Sequence, residues 1–552
     1  MNDKYIKIAD YIVASFLAMF FLSVLTFVIC LFFDVNPAWK WNLSLFSGLA
    51  VPLLLLSRFQ SLRLKINAFL FLCGLFALSC LIAYPLFDVS FDGMTYHGDA
   101  ILLLLQDANP IYREMHGFND LWTNHYPKAA WYFSSIVIHF SDNYNLGKIS
   151  HTLLMYSVFT YIFSCLARRG FNFNNAALLA LAGALSPVAV SQMYSQYVDG
   201  ILCSLTTLLV FAAATIISGR PRNIDFWVLI SSACLLINVK FTGFVYAAII
   251  LVILGGILLY SWLRAKNGES IRKLKATITS FSAIFILGIC VIGYNPYFSN
   301  YFKQGHPMYP ILGANKIDVL GLLIPPIFAN DDYSRVEKLL LSVFSKTNNV
   351  ENRRTANPDL KIPFSFEQSE IDNMSYNDPR IGGWGVLIGG ILLLAILASF
   401  NNPPSIAVYI TLATILANHE GWWARFVPQV ALLPLLLIIP IVISKSAWQR
   451  YLAKSVAVLL IVNSLIIIYM STNYVRNETI NLEKQIEDIL VQCGKGKYTF
   501  YSKEEGMHHE QYLWHTGIEI SYNYQDIPPI DQPRINFGNG TVYKKDCENT
   551  LR

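Results

Sequence analysis

Long uncharged apolar runs, separated by short polar stretches, set the pattern of this chain. They fall at roughly residues 11–33, 43–57, 66–86, 147–167, 174–192, 200–218, 225–238, 243–263, 277–295, 383–400, 404–418, 426–444 and 453–471. Most approach about 20 residues, the length of helix that crosses about 30 Å of hydrocarbon. They do not alternate apolar with polar, as the strands of a membrane barrel would. The pattern predicts an all-α polytopic membrane protein with about 13 transmembrane helices. Segments 225–238 and 404–418 are short, which leaves that count open by one or two. Polar segments at about 87–146, 296–382 and 472–552 interrupt or follow the runs. In the last, the alternating patches KYTFYS and IEISYNY predict a small α+β domain at 472–552, after a membrane domain at 1–471. No internal repeat, heptad or low-complexity tract is evident, which weighs against a transporter of duplicated halves.

Composition agrees with the pattern. The 552 residues are 54% hydrophobic and 14% charged, against about 25% charged in an ordinary soluble domain. Mean hydropathy is +0.44. A net charge of +5 matters less than where the charges lie. With the N-terminus in the cytoplasm and strict alternation, the inner loops receive Arg58, Arg63, Lys65; Arg168, Arg169; Arg220, Arg222; Arg264, Lys266, Arg272, Lys273, Lys275; and Lys445, Arg450, Lys454. The short outer loops receive little beyond Lys40, Lys240 and Arg425. This is the positive-inside bias, and keeping it requires two spans within 225–263. The three long polar segments, including the C-terminus, then lie outside. Lys4 and Lys7 precede a long first span with no cleavage site, so that span reads as a signal anchor.

Seven of the nine cysteines lie in expected spans, as small apolar residues. Cys493 and Cys547 lie in the outer tail, where an oxidising compartment would let them pair. Their sequence separation leaves both the paired and the free state open.

Chemistry concentrates on the expected outer face. Phe91–Ala100, FDGMTYHGDA, opens the first long outer segment with Asp92, Tyr96, His97 and Asp99. Asp107, Asn109, His125, Tyr126 and Lys128 follow. Asp199 starts the sixth span, and Lys240 sits in the turn between spans seven and eight. GHPMYP supplies His306 and Tyr309; NDPRIGGWG supplies Asp378 and Arg380; NHEGWWARFVP supplies His419, Glu420 and Arg425. Simpler readings exist for many of these. Trp122, Trp131, Trp422 and Trp423 suit an interfacial belt. Arg425 and Lys240 suit snorkelling to headgroups. Asp199 suits a helix cap, and Asp107 a turn. Asp331 and Asp332 suit a solvated loop. Asp92 is harder to set aside, because it stands just outside a span beside a glycine that permits close approach. A carboxylate can take a proton from an attacking hydroxyl, and fixed cations can stabilise a departing phosphate. Phosphate leaves readily, so no second acid is required, unlike glycoside hydrolysis; such a transfer inverts the anomeric carbon.

At these residues the chain resembles the GT-C superfamily of polytopic glycosyltransferases, which use polyprenyl-phosphate sugars. The resemblance rests on FDGMTYH opening the first outer loop, on DANPIY, on YPKAAWYF, on GHPMYP with His306 where asparagine is usual, and on WARFVPQVALLP. It covers roughly residues 85–435 and not the tail. It implies Asp92 as the catalytic carboxylate, Asp99 as second choice and His97 in support. It also implies Arg425 and Lys240, then Arg380, as holders of the carrier phosphate, with Tyr96, His125, Tyr126, Lys128, Asp199, His306, Tyr309, His419 and Glu420 lining the substrates. No metal or cofactor is implied. The Asp-Glu pair of aminoarabinose and protein-mannosyl transferases is missing, which speaks against those subfamilies. The expectation is an inverting glycosyltransferase of a bacterial cytoplasmic (inner) membrane, moving sugar from a polyprenyl-phosphate donor to a glycan, lipid or protein acceptor, with no nucleic-acid partner. An O-antigen polymerase or ligase stays open through Arg353–Arg354. A transporter or flippase would need charges at mid-span, where almost none occur, and a non-catalytic scaffold is a further alternative.

Overall fold

Every expected span coincides with an apolar helix. The computed structural model describes residues 3–318, 321, 324–348, 357–501, 509–513, 516–523, 535–538 and 540–543. In chain order the apolar helices are α1 (Asp3–Phe32), α2 (Pro37–Arg58), α3 (Leu62–Ala83), α4 (Tyr144–Arg168), α5 (Phe173–Ala184), α6 (Asp199–Ser218), α7 (Asn223–Ile237), α8 (Phe241–Ala265), α9 (Gly268–Ile292), α10 (Ile388–Ala398), α11 (Ile406–Ala417) and α12 (Pro428–Ile443). The last is α13 (Ala447–Cys493). Eight of these, α1–α4, α6, α8, α9 and α13, are long and apolar enough to cross a membrane; α5, α7 and α10–α12 are shorter.

Burial separates the helices into two groups. α1, α4 and α6 bury more than four-fifths of their most apolar window, whereas α2, α3, α8 and α9 bury a third or less. A helix that is apolar all round belongs either inside a large core or against lipid. α6 is the first kind, and the exposed leucines and phenylalanines of α3, Leu70, Phe71 and Leu81, are the second. Close contact between α1 and α2 needs Gly48, because a Cβ there would stand 2.3 Å from the Ser23 hydroxyl.

α13 runs unbroken for 47 residues, through the expected domain boundary at 472. Its distal turns present Leu482, Ile486 and Ile489 to Tyr498, Phe500 and Val542 of a small sheet. The strands are β1 (Gly496–Tyr501), β2 (Ile518–Asn523), β3 (Ile535–Phe537) and β4 (Gly540–Tyr543), in the order β2-β1-β4-β3. β1 pairs parallel to β2 and antiparallel to β4. The KYTFYS and IEISYNY patches supply β1 and β2. Phe87, Val89 and Met94 of the first long polar segment pack on this sheet cluster. Cys547, the side chain of Cys493 and the Arg353–Arg354 pair lie outside the described residues.

Candidate functional site

The chain leaves α3 at Ala83 and turns through a buried carboxylate before reaching the FDGMTYH motif. Asp88 Oδ1 accepts from the Ser90 amide (3.0 Å) and hydroxyl (2.6 Å), and Oδ2 accepts from the Gln196 amide (2.7 Å). Burial pushes the Asp88 carboxyl above its usual value, against the pull of Lys148. The motif glycine is explained here: a Cβ on Gly93 would fall 2.0 Å from Asp88 Oδ2. The tail ties down the same turn. Gln511 Nε2 (3.1 Å) and the Tyr512 hydroxyl (2.6 Å) both donate to the Asp88 carbonyl, and the Phe87 amide donates to Thr479 Oγ1 (3.0 Å).

Asp92 is thereby placed against Arg425, 333 residues later. Arg425 Nη2 donates to Asp92 Oδ2 at 2.6 Å, Nε to Asp199 Oδ2 at 3.0 Å, and Nη1 to Asp378 Oδ2 at 3.2 Å. One planar fork thus serves three carboxylates, a geometry that a point-charge lysine cannot reproduce. Lys240 Nζ donates to the other oxygen of Asp199 and lies 4.3 Å from the Phe426 ring centre. Arg380 Nη2 is 3.9 Å from Asp378, and its guanidinium lies over Trp423 at 4.1 Å. Trp423 Nε1 in turn donates to Asp378 Oδ1 (2.7 Å). Three acids and three cations therefore balance in one cluster. Its members come from the segment after α3, the starts of α6 and α8, the segment before α10 and the segment before α12, so these lie at one end of the bundle. Burial raises the Asp378 carboxyl above its ordinary value, offset by Arg425 and Arg380. Asp92 keeps a second partner, the Tyr96 hydroxyl at 3.2 Å. No described residue donates to its Oδ1.

No family model and no curated protein matches this chain. Among solved structures it is similar to the crystal structure of ArnT from Cupriavidus metallidurans bound to undecaprenyl phosphate. The identity is 12%, the match covers 86% of this chain and 97% of that one, and the TM-score is 0.47.

The remaining candidates divide around the cluster. His97 is fully buried beside it. Its Nδ1 accepts from Trp131 Nε1 at 2.7 Å, and tryptophan can only donate. Burial holds its pKa down at about 4, so the neutral ring carries its proton on Nε2. That N–H is buried and has no partner among the described residues. The rings of Tyr126 and Trp131 meet His97 edge to face and Tyr96 meets it tilted, with Trp122 packed in turn on Tyr96.

Asp99 faces elsewhere. Its Oδ2 accepts from the Asn119 amide at 3.0 Å, and it packs against Gly117; burial raises its carboxyl. Lys128 is buried and donates to the carbonyls of Asn124 (3.0 Å) and Tyr126 (2.8 Å), and desolvation lowers its pKa far below the usual value. His125 Nδ1 meets Asn300 Oδ1 at 2.7 Å, and its ring meets Tyr309 edge to face. His306 accepts from the Met308 amide within its own turn (3.1 Å). His419 is largely exposed and contacts Glu420, which accepts from Trp422 Nε1 (2.6 Å). Of the expected set, Asp92, Tyr96, Asp199, Lys240, Arg380 and Arg425 come together. Asp99, His125, Lys128, His306, Tyr309, His419 and Glu420 make their contacts outside the cluster.

Several simpler readings give way. Arg425 and Lys240 do not snorkel; both hold Asp199. Asp199 makes no side-chain cap to α6. Trp131, Trp422 and Trp423 are buried rather than interfacial, with Trp422 stacked on Phe328. Asp107 by contrast keeps its turn, with φ at +64°, and in addition pairs with Lys40 at 2.9 Å. Asp378 was expected on this face but without a role, and Asp88 was not singled out. Asp378 sits in NDPR, which has the composition of a turn. Asp88 forms an Asp-x-Ser turn, a local signal that marks structure rather than chemistry.

Proposed function

We propose that the protein is an inverting GT-C-type membrane glycosyltransferase that moves a sugar from a polyprenyl-phosphate donor to a cell-envelope glycan, lipid or protein acceptor. On this reading all thirteen apolar helices cross the membrane, the Asp92 cluster faces outward, and residues 472–552 form an extracytoplasmic domain on the distal part of α13. The observation that carries the reading is the ion pair between Asp92 and Arg425 inside a balanced, buried set of charges. It joins a candidate base to a candidate phosphate ligand at the end of the bundle.

In this proposal the donor phosphate competes with the carboxylates for Arg425, Lys240 and Arg380. Phosphate takes the guanidinium fork well, and its arrival draws Arg425 Nη2 away from Asp92 Oδ2. The freed carboxylate accepts the proton of an acceptor hydroxyl, whose oxygen attacks the anomeric carbon from the side opposite the phosphate. The bond between anomeric carbon and phosphate oxygen breaks, and polyprenyl phosphate departs with its negative charge held by the cations. Neutral His97, donating through Nε2, suits a sugar hydroxyl better than proton abstraction. The test is transfer by the purified protein from a labelled polyprenyl-phosphate sugar. Release of polyprenyl phosphate with a β product from an α donor, or the reverse, supports the proposal. Retained configuration, or movement of the intact donor across a vesicle without chemistry, overturns it.

A further inference from the structure

At the end of the bundle opposite the Asp92 cluster, the start of α1, the end of α2 and the start of α7 enclose a cavity of about 450 Å³. Its rim carries Lys7, Arg58 and Arg222, and its wall carries Tyr11, Leu55 and Phe59. One carboxylate, Asp10, also lines the cavity, and its Oδ2 meets Arg222 as an ion pair without a hydrogen bond among the described residues; the neighbouring Asp225 is fully bonded. Asp10 Oδ2 is 2.9 Å from Arg222 Nη1, and Oδ1 accepts from Ser164 Oγ (2.5 Å). Asp225 takes two bonds from Arg168, at 2.9 and 2.7 Å, and one from the Arg222 amide at 2.7 Å. This network fixes Arg222 at the rim. Among the described residues Lys7 pairs with the exposed Asp3 alone, at 2.7 Å, and Arg58 has no carboxylate partner. Asn223 and Ile224 line the cavity from the first turn of α7, so the positive end of that helix adds to the field.

We propose that this cavity binds one anionic phospholipid. The phosphodiester sits among Arg58, Arg222 and Lys7, and the glycerol and upper acyl chains lie on Leu55, Phe59 and Tyr11. The apolar wall favours a lipid over free phosphate, and basic pockets between helices on the cytoplasmic side suit such headgroups. The inference does not depend on the reading of the Asp92 cluster.

The test uses the full-length protein in non-ionic detergent. Retention of phosphatidylglycerol is compared with that of phosphatidylcholine of the same chains by native mass spectrometry, with inorganic phosphate as competitor. The expected result is one retained phosphatidylglycerol, held about tenfold more tightly than phosphatidylcholine. Arg58→Ala should lower its affinity about tenfold, the loss of one hydrogen bond between charged groups. Arg222→Ala also strips Asp10 of its partner, so Arg58→Ala and Lys7→Ala, at exposed side chains, carry the test. Equal retention of both lipids, or a preference unchanged in both variants, overturns the proposal. Displacement by inorganic phosphate at equal concentration would make this a free-anion site and overturn the lipid assignment.

Discussion

Replacing Arg425 by lysine keeps the charge and removes the fork. In the structure the side chain is 14% exposed and gives separate nitrogens to Asp92, Asp199 and Asp378 at 2.6, 3.0 and 3.2 Å. A lysine ammonium reaches one of these well. Asp199 retains Lys240 and Gln192, Asp378 retains Trp423 and Arg380, and among the described residues Asp92 retains only the longer bond from Tyr96. Two charge-assisted bonds are therefore lost, each worth roughly 1.5–3 kcal/mol. The partners that remain offset part of this, so Arg425→Lys is expected to cost about 3 kcal/mol. Against a total of roughly 5–15 kcal/mol for an ordinary domain, that is a large fraction. The assay is unfolding of purified protein in mixed micelles with graded denaturing detergent, read by loss of helicity. The cycle with Asp92→Asn isolates the pair: Asp92→Asn should cost less in the lysine background, by about 1–3 kcal/mol of coupling. A stability within about 0.5 kcal/mol of wild type, or an additive cycle, would refute the argument that one fork organises the three carboxylates.

Three further outcomes follow from the geometry. Asp99→Asn should lower stability by about 1 kcal/mol through the 117–119 turn, while any sugar transfer keeps its rate constant; loss of turnover in a folded variant would make Asp99 part of the chemistry. His97 is held neutral, with its pKa lowered from 6.5 to about 4, so the unfolded chain binds the extra proton between those values. Its contribution is fully present above pH 6.5 and is lost as pH falls toward 4, about 3 kcal/mol in all. His97→Gln should flatten that stretch of the stability–pH curve, and an unchanged slope would contradict the buried neutral ring. Tyr512→Phe removes one of two donors to the Asp88 carbonyl, at a cost of about 1 kcal/mol, and should speed limited proteolysis of the tail; an unchanged cleavage rate would separate the tail from the motif turn.

The helices were legible because length and apolarity alone mark a segment that can satisfy its backbone inside lipid. The continuation of α13 past residue 471 was not. Leu482, Ile486 and Ile489 recur at helical spacing, but Glu483, Lys484, Glu487 and Asp488 between them make the stretch read as polar. The motif carrying Asp92 was legible because two carboxylates, a histidine and two glycines in an oily chain are conspicuous. Its partners were visible only as residues of the same expected face. The separations that matter, 333 residues from Asp92 to Arg425 and 47 from Asp378 to Arg425, leave no periodic trace. Asp378 was counted on that face but given no role for that reason, and the separate pairing of Asp99 depends on a turn 20 residues away.

The central claim is that Asp92 is the base and Arg425 its phosphate-released partner. The most direct measurement is single-turnover transfer from a labelled polyprenyl-phosphate sugar by wild type and Asp92→Asn, with donor binding measured separately. The account expects Asp92→Asn to lower the chemical rate by about 10²–10⁴-fold, while donor binding holds or tightens because Arg425 no longer has that carboxylate to leave. An Asp92→Asn protein that folds, binds donor and transfers sugar at the wild-type rate would contradict it.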